Sequence, residues 1–152
     1  MNVELLLRFV HIAAAAIWVG GMFFAYVCLR PAAAELLEPP PRLRLWRAVL
    51  ARFLGWVWVT VILIGVTGMV RFGQAGSAAP PNWHVMMGSG LLMFAIFVYV
   101  YTVPFAALRH SVDAEDWAQA GVALGRIRQA VGWNLLLGLL TICVATLGAA
   151  LG

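Results

Sequence analysis

Residues 3–29 read VELLLRFVHIAAAAIWVGGMFFAYVCL and are followed by Arg30-Pro31. Crossing the hydrocarbon core of a bilayer takes about 20 apolar residues at ~1.5 Å rise each, and this run exceeds that length with Glu4, Arg8 and His11 as its only ionisable polar interruptions. It is too long for the apolar region of a signal peptide, and Arg-Pro replaces a polar cleavage context, so it reads as a first membrane span. Three further runs match it, near residues 53–72, 83–108 and 130–151. The expected fold class is therefore all-α: a single four-helix transmembrane domain over residues 1–152, built as an up-down bundle.

Composition agrees. The chain is 64% hydrophobic and 11% charged, and a water-soluble fold of 152 residues could not bury that much apolar surface. All ten basic residues are arginine, against six acids. All but Glu4, Arg8 and Arg71 lie between the apolar runs, so the net charge of +4 reports orientation in a lipid bilayer and is no footprint of nucleic-acid binding. Cys28 and Cys143 fall on different helices at different depths, which forbids a disulfide and leaves free thiols.

The first break, residues 30–52, carries five arginines and the helix-stopping Pro39-Pro40-Pro41. The second, residues 73–82, has no charge and reads as a tight turn. The third, residues 109–128, opens with a helix-start signal at Ser111 or Asp113 and continues as an amphipathic stretch. Arginine near span ends is retained on the cytoplasmic side. Eight of ten border or occupy the first and third breaks, which places both termini and the 73–82 turn on the outer face. The expected location is a bacterial-type inner membrane, with Gly20, Gly21, Gly65, Gly68, Gly88, Gly90 and Gly138 available for close helix contacts.

An ionisable group inside a span costs about 2.5–3.5 kcal/mol, so one that persists is a functional candidate. His11 lies roughly 12 Å inside the outer boundary, and His84 starts the third span just after Pro80-Pro81. His110 is at the opposite end of that helix and cannot join them. Glu4, Arg8 and His11 share a helical face, which allows Glu4 to neutralise Arg8. Met86 and Met87 follow His84 and Met93 lies two turns further in; Thr67, Met69 and Thr146 come from the outer ends of the other helices. Imidazole with thioether suits copper, Cu(I) above all. Methionine is also ordinary filler of apolar helices, and most of the tryptophans mark the interface belt. Trp18 differs: it sits mid-span on the His11 face, and its indole N–H calls for a partner or a cofactor edge. Asn134, with Arg126 and Arg128 before it, forms a second polar cluster expected to anchor and to bond between helices. No phosphate-binding loop, CxxC or nucleophile elbow appears, and no carboxylate pair is placed for acid–base work.

His11-Ile12, Ile17-Trp18-Val19-Gly20-Gly21-Met22-Phe23-Phe24 and Leu29-Arg30-Pro31 resemble the opening helix of the CopD-like (copper resistance protein D) membrane family. Val66-Thr67-Gly68-Met69, Trp83-His84-Val85-Met86-Met87, Pro104-Phe105, Ala123-Leu124-Gly125-Arg126-Ile127-Arg128 and Asn134-Leu135-Leu136-Leu137-Gly138 are similar to its small four-helix members. The resemblance implies copper binding or translocation at the outer face, with His11 and Trp18 on the first helix and His84 with Met86 or Met87 on the third. The chain departs from larger relatives in being only a four-helix unit, and a pathway through it would call for a homodimer.

Two other readings compete. A b-type haem protein, either an electron carrier or a relative of the HemJ-type protoporphyrinogen oxidases, would use His11 and His84 axially, Trp18 at the cofactor edge and Arg8 on a propionate. Against it stand the unequal depths of the two histidines and the absence of any lysine where the HemJ-type family has one in its third helix. The third reading is a small membrane subunit whose histidines only pack or cap.

Overall fold

The computed structural model describes residues 2–148 and is helical almost throughout. Four rods follow one another: α1 (Val3–Leu36), α2 (Pro39–Ala75), α3 (Pro81–Asp113) and α4 (Trp117–Leu147). Each is long and apolar enough to cross a membrane, which makes this the architecture of a multi-pass membrane protein. Residues 149–151 of the fourth expected span lie outside the described residues.

The helices outrun the apolar runs at the arginine-rich end. α2 begins at Pro39 and not near residue 53, so most of the first break is helix. Pro39-Pro40-Pro41 was expected to stop a helix, yet it also starts one. Proline lacks the N–H that a first helical turn leaves unpaired anyway, and its fixed φ suits that turn. Glu38 ahead of it is extended, as a residue before proline prefers (φ −61°, ψ 159°). The third break differs too. α3 continues through Ser111 to Asp113, and the helix start is Asp116, whose Oδ1 accepts from the Gln119 amide at 3.0 Å. Between them Glu115 adopts φ 55°, the left-handed conformation that reverses the chain.

Two prolines explain the irregularities inside the rods. Pro31 can neither donate to the carbonyl four residues back nor clear it sterically, and the turn before it widens into a π-helix over Phe24–Leu29. Pro104 acts likewise on α3, which breaks at Val103 between Pro81–Thr102 and Pro104–Asp113.

α1 packs on α2, and α3 on α4 along its whole length; α2 also approaches α4, which leaves α1 and α3 on the longer diagonal. Close approach depends on particular glycines. A methyl at Gly21 would run into the Phe53 ring, and one at Gly138 would stand 2.9 Å from Val19 Cγ2 and 3.2 Å from Met93 Cε. Gly20, Gly65, Gly88 and Gly90 have nothing within 4 Å, so the sequence expectation holds for only part of its set. Gly132, not in that set, lets the Tyr26 ring in at 3.1 Å.

Candidate functional site

Burial is uneven along the bundle axis. Towards the arginine-rich end the core is continuous: Leu54, Val57, Phe97, Phe105, Leu108, Ala123 and Ile127 are all buried. Towards the end that carries His11 and His84, beyond Ala14, Thr60, Met93 and Gly138 on the four helices, Thr67 is the one buried side chain among the described residues. That threonine holds His11.

The geometry fixes the imidazole. His11 Nδ1 lies 2.8 Å from Thr67 Oγ1, while Thr67 Oγ1 lies 2.6 Å from the Leu63 carbonyl one turn back on α2. A hydroxyl has one proton, and the shorter contact to a pure acceptor takes it. Thr67 therefore donates to Leu63 and accepts from His11, which assigns the proton to Nδ1 and the lone pair to Nε2. No hydrogen bond engages Nε2 among the described residues. The ring is half-buried and its Cε1 edge lies 3.4 Å from where a Cβ at Gly68 would stand, so Gly68 makes the seat. Committing one ring nitrogen to a hydrogen bond is how a ligating imidazole is oriented and its other nitrogen made more basic.

Arg71 stands one turn beyond Thr67 on α2, and its guanidinium lies over the Trp83 ring at 4.9 Å. Sequence reasoning assigned Arg71 no role. Its spacing of four from Thr67 was the available signal.

His84 also leans on α2, at a different place. Its ring meets Phe72 edge-on with centroids 5.0 Å apart, and the side chain is exposed. No hydrogen bond joins it to His11. Met86 is half-buried and Met87 exposed. Met69 is 75% exposed and Thr146 spends its hydroxyl on the Ile142 carbonyl at 2.9 Å, so of the three partners expected from α2 and α4 only Thr67 meets His11. Arg8 and Glu4 are both exposed and form no ion pair with each other; the two ion pairs among the described residues, Arg44–Glu115 and Arg47–Asp113, are at the other end. Among the described residues no three His, Cys, Asp or Glu side chains cluster as a closed metal cage. Cys28 and Cys143 are free and exposed, as their depths required.

Trp18 is buried on the His11 face of α1 and meets Phe97 edge-on at 6.3 Å. With Met22, Phe53 and Asn134 it lines a cavity of about 20 Å³, room for about one water. Asn134 was expected to bond between helices. Its Oδ1 instead is fully buried with no protein partner among the described residues. Besides His11–Thr67, a polar link between helices is made by the hydroxyls of Ser89 and Thr141 at 2.8 Å across α3 and α4.

No family model, curated protein or solved structure matches this chain.

Proposed function

We propose that this chain is a copper-handling protein of a bacterial inner membrane, with its histidine end and both termini on the outer face and copper as its cargo. His11 Nε2 is the principal donor; His84 and the thioethers of Met86 or Met87 complete the coordination as the ion passes. The observation that carries this reading is the Thr67 hydrogen bond, which leaves the free nitrogen of a membrane-embedded imidazole as a lone-pair donor at the loosely packed end of the bundle. Imidazole with thioether selects Cu(I) among the common ions, and the resemblance to CopD-like proteins points the same way. The arginines gathered at the opposite end support the orientation.

Among the described residues no cluster of three His, Cys, Asp or Glu side chains surrounds His11, so few protein donors hold the ion. Arg71, one turn from Thr67 on α2, places a positive charge on the same stripe of that helix. A homodimer, placing two such ends side by side, would offer a path between protomers.

The test is metal analysis and an optical spectrum on one purified sample. The reading expects about one copper per chain, lost in a His11→Ala, His84→Ala double variant. A Soret band after expression with ample haem would replace copper by haem b, and unchanged copper in the double variant would remove the site.

A further inference from the structure

A shallow, open groove lies on the side of α2 that faces away from the bundle, lined by Arg52, Gly55, Trp56 and Val59. The spacing i, i+3, i+4, i+7 puts all four on one stripe. All are exposed, Trp56 at 64%, so this stripe faces away from the bundle. Gly55 makes the notch: nothing lies within 4 Å of where its Cβ would be.

The level of the groove is set by charge. Arg30, Arg52, Arg109 and Arg128 each stand at the arginine-end border of an apolar run, one per helix, which is the level of lipid headgroups. Arg30 lies over the Tyr26 ring at 5.2 Å and Arg109 over Phe105 at 5.9 Å. Arg52 is in neither ion pair, and its one internal hydrogen bond runs from Nη1 to the Ala48 carbonyl at 3.1 Å. Most of its fork of N–H donors has no partner among the described residues, and a phosphate can accept two of them. Immediately inward the notch and Val59 offer an apolar channel one side chain deep, walled by an indole of the kind that favours the interface.

We propose that this groove seats one anionic phospholipid, its phosphate on Arg52 and an acyl chain in the notch over Gly55 and along Val59. The complementarity is twofold: a guanidinium without an acidic partner for the headgroup, and a missing side chain for the tail. Anionic lipid is favoured over zwitterionic lipid because the groove carries no carboxylate for an ammonium group, while Arg52 adds a positive charge that attracts a net-negative headgroup.

Native mass spectrometry of the protein released from nanodiscs of mixed dioleoylphosphatidylglycerol and dioleoylphosphatidylcholine tests it. The wild-type chain should retain one phosphatidylglycerol in preference to phosphatidylcholine. Arg52→Gln should lower that retention about fivefold, the worth of one arginine at an anionic surface. Gly55→Leu keeps the charge and fills the notch without meeting any protein atom, and it should lower retention to a similar degree with helicity and thermal unfolding unchanged. Retention unaffected by Gly55→Leu would mean charge alone attracts lipid and would overturn the seated site. Equal retention of phosphatidylcholine would overturn it as well, as would a changed oligomeric state at unchanged lipid content, which would assign the groove to a second copy of the chain.

Discussion

The two ends of this bundle are built differently from similar material. At the arginine-rich end four helices interlock around Leu54, Val57, Phe97, Phe105 and Leu108, and the α3–α4 turn is tied to α2 by two exposed ion pairs. At the histidine end the same helices bury one side chain among the described residues, Thr67, and leave Ile12, Leu91, Met69 and Leu140 open. In lipid, packing and hydrogen bonds hold helices together, because burying a leucine against protein gains little over burying it in acyl chains. The packed end therefore carries the stability, and the open end is free to present an imidazole. Trp18 marks the border between them, with His11 two turns towards the open end and the cavity beside Asn134 on the packed side.

The sharpest break of that contrast is in stability. Leu108→Ala, at a position with no exposure, should cost about 2–5 kcal/mol through the cavity it leaves. Leu140→Ala, at 53% exposure, should shift the same denaturation midpoint in mixed micelles by less than about 0.5 kcal/mol. Next comes the support of the site. Thr67→Val keeps the shape and removes the acceptor for His11 Nδ1, and it should weaken copper binding about 10- to 100-fold in a competitive titration while leaving the fold in place. Asn134→Leu should act in the opposite sense on the packed end: replacing a buried, unpartnered carbonyl by an apolar side chain should stabilise the bundle by about 1–3 kcal/mol without altering copper content. The smallest effect belongs to Arg71→Gln. Removing a positive charge one helical turn from Thr67 should tighten copper binding roughly fivefold, about 1 kcal/mol, in the same titration.

Much of this was legible in the chain. Hydropathy alone finds four spans, because a run such as residues 3–29 has no soluble alternative. Helix ends were less legible. Arginine and proline in residues 30–52 look like loop, but proline at a first turn starts a helix as readily as it ends one. His11 was found by the cost of placing it, which is local information. Depth along the helices named Thr67, Met69 and Thr146 as its partners, but which of them meets the imidazole depends on the register of α1 against α2, which is set by Gly21 against Phe53 and Gly68 against the imidazole itself. Asn134 shows the same limit from the other side, since its place near Arg126 and Arg128 suggested a bond between helices but could not tell that its Oδ1 meets no protein partner among the described residues.

X-ray absorption at the copper edge tests the central claim most directly, on protein loaded with Cu(I) and on a His11→Gln variant treated alike. Imidazole scattering in the wild-type spectrum that vanishes in the variant is the expected result. Copper held without an imidazole, or with the same imidazole signal in both samples, would contradict the assignment of His11 as the donor.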